Sequence, residues 1–288
     1  MNPRRLIVNG DDFGMSEEVN EAVVFAFRRG ILTSTSLMAS GAAFDHAVSL
    51  AKQNPGLAVG LHLTCANGRP VLPPGRLPHL AGKTGEFLAD PGLAGLLYFF
   101  CPAARRELLD EIEAQFEKFF RSGLPFSHVD SHCHMHVHPV VLDAIIECAK
   151  RYGVKSIRVP ADSFFTALPF LDSPVKAACY AIVFKLLTRR MKKILGNRGF
   201  IFPRTVYGNM LSGKMSAEYV LRVAELAGEG TSELYLHPAL PCGPPGEADA
   251  AQLQRFREFL ILVRPEVGAE LARLGVSLST YSDMEKEL

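Results

Sequence analysis

Six ionisable side chains, His128, Asp130, His132, His134, His136 and His138, occupy every second position between Ser127 and Pro139. Imidazole is the commonest side-chain ligand for transition metals and the usual acid or base near neutral pH. In an extended segment successive side chains alternate, so the six are expected on one face, with Val129, Ser131, Cys133, Met135 and Val137 on the other. Alternate residues of a strand lie roughly 6.5 Å apart, so one ion reaches only one or two of them. The run must be divided among roles, and further ligands must come from elsewhere. The competing explanation is a polar loop that binds metal adventitiously. Against it, Pro139 suits a first helical turn, and Val141, Leu142, Ile145, Ile146 and Ala149 follow at helical spacing.

Two further polar clusters lie upstream, Asp11 with Asp12, and His62. Each follows or ends a strand-like run, and in a parallel barrel such ends meet on one rim. Two imidazoles with one carboxylate form a facial set that leaves metal positions open for water and substrate, which suits a hydrolytic ion. Adjacent Asp residues in a tight turn cannot both point one way, so one can bind metal while the other faces the substrate water. Taken singly, the pair also reads as an Asx-turn capping the next helix, and His62 as a hydrogen-bonded core histidine. The three clusters together favour a metal site.

The elements that must position these groups alternate. Arg5 to Asn9 reads as a strand, followed by a helix that starts at Ser16 with Glu17 and Glu18 in its first turn. Ile31 to Ala39 and Leu57 to Thr64 read as strands around a helix from Ala42 to Lys52. Asn67 to Pro91, rich in Gly and Pro, reads as a long loop, and Ala104 to Arg121 as an amphipathic helix burying Leu108, Ile112, Phe116 and Phe119. Ser156 to Val159, Glu233 to Leu236 and Val276 to Thr280 read as later strands. Helices are expected at Ser216 to Ala227, Asp249 to Val263 and Pro265 to Leu274. This rhythm predicts a parallel α/β sheet, in one domain over residues 1–288 with a loop excursion at 67–102 and a helical insertion at 162–203.

A formal charge of +1 gives no electrostatic basis for nucleic-acid binding. Six cysteines without a C-x-x-C pair argue against a zinc knuckle or disulfide scaffold. With no signal-peptide pattern and no membrane-spanning apolar run, a cytoplasmic chain is expected.

Leu6 to Gly14, Gly60-Leu61-His62-Leu63 and His128 to His136 resemble the signatures of the YdjC-like carbohydrate deacetylases, which include chitooligosaccharide deacetylase. Val71-Leu72-Pro73-Pro74, the Phe99-Phe100 region, Glu111 to Phe116 and Gly208 to Met215 look most like the hopanoid biosynthesis-associated branch. The resemblance implies a distorted (β/α), TIM-like barrel. It implies one divalent ion, magnesium or zinc, on Asp12, His62 and His132, with Asp11 as general base and His237 as acid. His134 and His136 would orient ligands, and Arg158 would hold a sugar or the base carboxylate. The implied substrate is an acetamido sugar, lipid-linked in that branch. Such chemistry needs these residue types, because an unactivated amide resists water and its amine departs only when protonated.

Residues 175–195 interleave apolar residues with Lys176, Lys185, Arg189, Arg190, Lys192 and Lys193. This pattern reads either as peripheral contact with the inner membrane or as core or homodimer packing. The rival functions are another metal hydrolase, such as a phosphoesterase, and a catalytically silent glycan- or lipid-binding protein. A phosphoesterase would want a Gly-rich phosphate loop, which the sequence lacks. Asp11, His62, His132 and His237 together argue against a silent binder.

Overall fold

The computed structural model describes residues 3–82, 84–243 and 249–286. Met1, Asn2 and Lys83, in the N-terminal run and the loop excursion read above, lie outside the described residues.

From Leu6 onward β1 (Arg4–Phe13) is buried without alternation, as a parallel strand covered on both faces must be. After it come α1 (Glu17–Arg29), β2 (Ser34–Leu37), α2 (Phe44–Lys52) and β3 (Ala58–Leu63). The middle of the chain forms α3 (Pro91–Phe100), α4 (Pro102–Arg121), β4 (Val129–Ser131), α5 (Pro139–Arg151), α6 (Phe164–Ala167) and α7 (Pro174–Asn197). The last third gives β5 (Val206–Tyr207), α8 (Ala217–Leu226), β6 (Gly230–Leu236), α9 (Ala250–Val263), α10 (Pro265–Arg273), β7 (Val276–Ser279) and α11 (Tyr281–Glu285).

All strand pairings are parallel, in the order β4-β3-β2-β1-β6-β5. The edge of β1 opposite β6 takes β7 at Arg4–Ile7 and β2 from Asn9 onward. Single bridges, Val129 to Ile157 and Ser156 to Ile201, carry the ladder on from β4. The sheet therefore curls as a half-barrel of the TIM-like type, with helices packed outside it. Leu108, Ile112, Phe116 and Phe119 of α4 are fully buried, and truncating a phenylalanine such as Phe116 to Ala costs about 3–5 kcal/mol.

Several elements differ from the sequence reading. The expected strand at Ser156–Val159 is reduced to bridges. Asp11 and Asp12 belong to β1 itself, where the register shifts between Gly10 and Phe13 and Asp12 takes a left-handed φ of 67°. They do not cap α1, because Ser16 Oγ accepts the Val19 N–H. The excursion is tied down by buried Glu111, whose carboxylate accepts the Val71 and Leu72 N–H groups at 2.7 and 2.9 Å, and it ends in a helix, α3.

The histidine run is not extended. β4 stops at Ser131, and residues 132–137 form a turn with Cys133 and His134 in the left-handed region, φ 54° and 52°. Ser131 Oγ accepts the His136 N–H at 2.9 Å and meets His136 Nδ1 at 2.6 Å, folding the chain back on itself. The six side chains thus do not share a face; His128, for one, is buried in a stack on Tyr281.

Candidate metal centre

The carboxyl ends of β1, β2, β3 and β4 follow one another across the curled sheet, which brings Asp12, His62 and His132 together from three separate stretches of chain. Their ligand atoms lie within 4.8 Å of one another. Asp12 Oδ1 is 3.0 Å from His132 Nδ1 and 3.4 Å from His62 Nε2. Burial alone would raise the Asp12 pKa, but the hydrogen bond with His132 and the closeness of the His62 imidazole hold it well below the ordinary carboxylate range. Burial likewise opposes charge on His132, yet Asp12 carries that imidazole up to about 9. His62 is also raised well above its ordinary value, because Asp130 and Asp12 outweigh its burial. The pocket thus favours positive charge beside Asp12.

The residues fit a divalent ion. His62 Nδ1 is held at 2.7 Å by Asp130 Oδ1, while buried Nε2, on the side of Asp12 and His132, makes no hydrogen bond among the described residues. A carboxylate behind a ligating histidine is the usual way to fix ring orientation and raise ligand basicity. Asp11, His62 and Asp130 also approach within 4.8 Å of one another. That second grouping is less suited, because Arg158 already occupies both of its carboxylates.

Arg158 is fully buried and organises the floor of the site. It grips Asp11 through two hydrogen bonds of 2.8 Å, Asp130 at 2.6 Å and Glu233 at 2.6 Å. Burial would lower its pKa, but Asp11, Asp130 and Glu233 hold it well above the ordinary arginine value. Its guanidinium holds the Asp11 carboxylate through both of its terminal nitrogens. Asn9 Nδ2 adds a third donor to Asp11 at 2.8 Å.

His237, just past β6, lines the same cavity of about 350 Å³ with Asp11, His62 and His132. Burial disfavours its charged form, but Glu258 and then Asp12 raise its pKa above the ordinary histidine value. Glu258 Oε2 lies 3.7 Å from His237 Nδ1 and accepts the His237 N–H at 2.6 Å. His134 lines the cavity and meets the Tyr235 hydroxyl at 2.8 Å. His136 is held by Ser131 Oγ, and burial pushes its pKa down to about 3.

Sequence reasoning missed Asp130 as the partner of His62, Arg255, and the Glu233–Tyr281 pair. Arg255 of α9 donates to Asp12 Oδ2 at 2.5 Å, and Tyr281 donates to Glu233 at 2.5 Å. Tyr180 and Asn209, hydrogen-bonded at 2.8 Å, also line the cavity. Only Asp130 carried a sequence signal, its place in the alternating run.

A curled parallel sheet with a carboxylate and two imidazoles grouped at its carboxyl end defines an α/β half-barrel with a candidate metal site. The YdjC-like protein profile matches residues 5–273, and the chain belongs to that family. The carbohydrate deacetylase of Geobacillus stearothermophilus is 34% identical to it over 286 residues, covering 99% of each chain. The chitooligosaccharide deacetylase of Serratia marcescens is 29% identical, covering 97% of this chain and 98% of its own. A solved structure from Enterococcus faecalis V583, provisionally described as a cellobiose-phosphate cleavage protein, shares the fold with a TM-score of 0.76. It is 24% identical, covering 98% of this chain and 99% of that one.

Proposed function

We propose that this protein is a metal-dependent hydrolase that removes the N-acetyl group from an acetamido sugar, and that its natural substrate is an N-acetylglucosaminyl hopanoid. The carrying observation is the convergence of Asp11, His62, His132 and His237 on one cavity, with Asp12 grouped behind it with His62 and His132. The carbohydrate deacetylases among its relatives support the substrate class.

A divalent ion held by Asp12, His62 and His132 supplies Lewis acidity toward water and the amide carbonyl when bound. Asp11, oriented by the Arg158 fork, takes the proton of the attacking water. His237, whose raised pKa favours the imidazolium, gives a proton to the departing amine as the C–N bond breaks. Acetate and a free amino sugar result.

The hopanoid substrate is supported by the sequence resemblance in residues 71–74, 111–116 and 208–215, and by the apolar surface beside the site. Leu93, Leu96 and Phe100 of α3 and Val175, Ile182 and Leu186 of α7 are each more than half exposed. Such an enzyme works in the cytoplasm, peripherally on the inner membrane, through residues 175–195. Acetate release from N-acetylglucosamine, N,N′-diacetylchitobiose and a glycosyl hopanoid tests the reading. The hopanoid is expected to be turned over with the highest kcat/KM. Preference for the chitobiose would replace it with a chitooligosaccharide, and no acetate from any of the three would remove the deacetylase reading.

A further inference from the structure

A groove of about 850 Å³ runs between α3 and α7, within the size range (roughly 300–1,000 Å³) of small-molecule sites. Leu96, Phe99 and Phe100 form one wall, and Val183, Phe184 and Leu187 form the other. Gly95 lines the same wall, and a Cβ added there would meet the His138 ring across the groove at 3.4 Å. The groove shares Pro91, Cys133, His134 and Tyr180 with the catalytic cavity. The two are therefore one channel, polar and titratable at the metal end and apolar at the other.

We propose that this groove binds an apolar aglycone carried by the sugar whose amide lies in the adjoining cavity. The assignment rests on the deacetylase reading for the identity of the sugar, and on the groove itself for the aglycone. A longer glycan fits it poorly, because hydroxyls stripped of water there would find mostly hydrocarbon and aromatic walls. A second copy of the chain also fits poorly. α7 carries six Lys or Arg and no Asp or Glu, so a two-fold contact through it would set like charges against each other. A hydrocarbon tethered to the sugar fills the groove while the acetamide sits at the metal end, and the affinity it adds is set by the length of chain buried.

The test compares methyl and octyl β-glycosides of N-acetylglucosamine. Binding to the metal-loaded full chain is measured by calorimetry below the micelle concentration, and acetate release is followed separately. The octyl glycoside is expected to bind at least about tenfold more tightly, from the apolar area it buries. Leu96→Glu and Val183→Glu, at positions more than half exposed, should each fold normally by thermal melt and reduce that advantage. Equal affinity for the two glycosides, no detectable binding of the octyl compound, or an undiminished advantage in both variants overturns the groove assignment. Tight octyl binding without acetate release supports the groove and removes the deacetylase reading, so the two failures are distinguishable.

Discussion

Asp130 Oδ1 lies 2.7 Å from His62 Nδ1, and the other oxygen of the same carboxylate lies 2.6 Å from Arg158. One buried side chain thus fixes both the imidazole that faces the metal position and the guanidinium that grips Asp11. Asp130→Asn keeps the size of the side chain but weakens both ties. It is expected to bind metal about 10–100-fold more weakly, the usual cost of losing a carboxylate behind a ligating histidine. His62→Ala and His132→Ala, which remove ligands outright, should retain no stoichiometric ion by elemental analysis. A full complement of ion in either alanine variant would sink the ligand assignment.

Asp11 stands apart from this set because its oxygens are engaged by Arg158 and Asn9. Asp11→Asn is therefore expected to keep its ion and lose roughly 10²-fold or more in kcat, the weight of a positioned general base. Elemental analysis and acetate release on the same sample decide it. If the purified variant lacks the ion, Asp11 and Asp12 have exchanged roles.

The rim of the barrel was legible because strand ends follow from hydrophobic runs, and parallel strands bring their ends together. The clusters at Asp11 and Asp12, at His62 and at His128 to His138 could be grouped on that ground, whereas singling out Asp12 and His132 within them rested on the family resemblance. The turn after Ser131 was not legible. Its left-handed residues are Cys133 and His134 rather than Gly, and the Ser131 Oγ bond that folds it back leaves no periodic trace. Glu233, Tyr281 and Arg255 sit singly on distant elements, so nothing short of tertiary structure brings them to the site, while Arg158 was reached only through the family resemblance. The basic stretch at 175–195 was visible as a pattern in the sequence, and the residues of α3 were read within the loop excursion at 67–102. Their meeting across one groove was not visible.

Acid stability offers a test of the packing beneath the site. Burial pushes the His128 pKa down to about 3, against about 6.5 in an unfolded chain. Between these values the unfolded chain binds the proton and the folded one does not. The stabilisation is therefore fully present above about pH 6.5 and is lost as pH falls toward 3, on the order of 5 kcal/mol in all. Phenylalanine can keep the stack on Tyr281, whose ring lies 4.0 Å away and nearly parallel. Urea midpoints should fall less from pH 7 to pH 5 in His128→Phe than in the wild type. Identical slopes for the two proteins would count against a buried neutral His128.

The proposed contact of residues 175–195 with a membrane rests on what α7 leaves exposed. Among α7 side chains only Thr188, Met191 and Leu195 are buried, so Ile182, Val183 and Leu186 are not spent on the core of this chain. Lys192 is committed to the fold, donating to the Arg204 carbonyl at 2.7 Å. Lys176, Lys185, Arg189, Arg190 and Lys193 remain exposed. Each basic residue close to an anionic surface adds about 1 kcal/mol, and apolar area inserted into the interface adds to that. The protein is expected to cosediment with anionic vesicles at low salt and to release as screening shortens the Debye length below about 10 Å. Reversing Arg189, Arg190 and Lys193 to Glu, with Lys192 left in place, should abolish cosedimentation without lowering the melting temperature. Binding that ignores salt, or a reversed variant that still cosediments, would argue that a different surface meets the lipid; a wild type that ignores the vesicles removes membrane contact altogether.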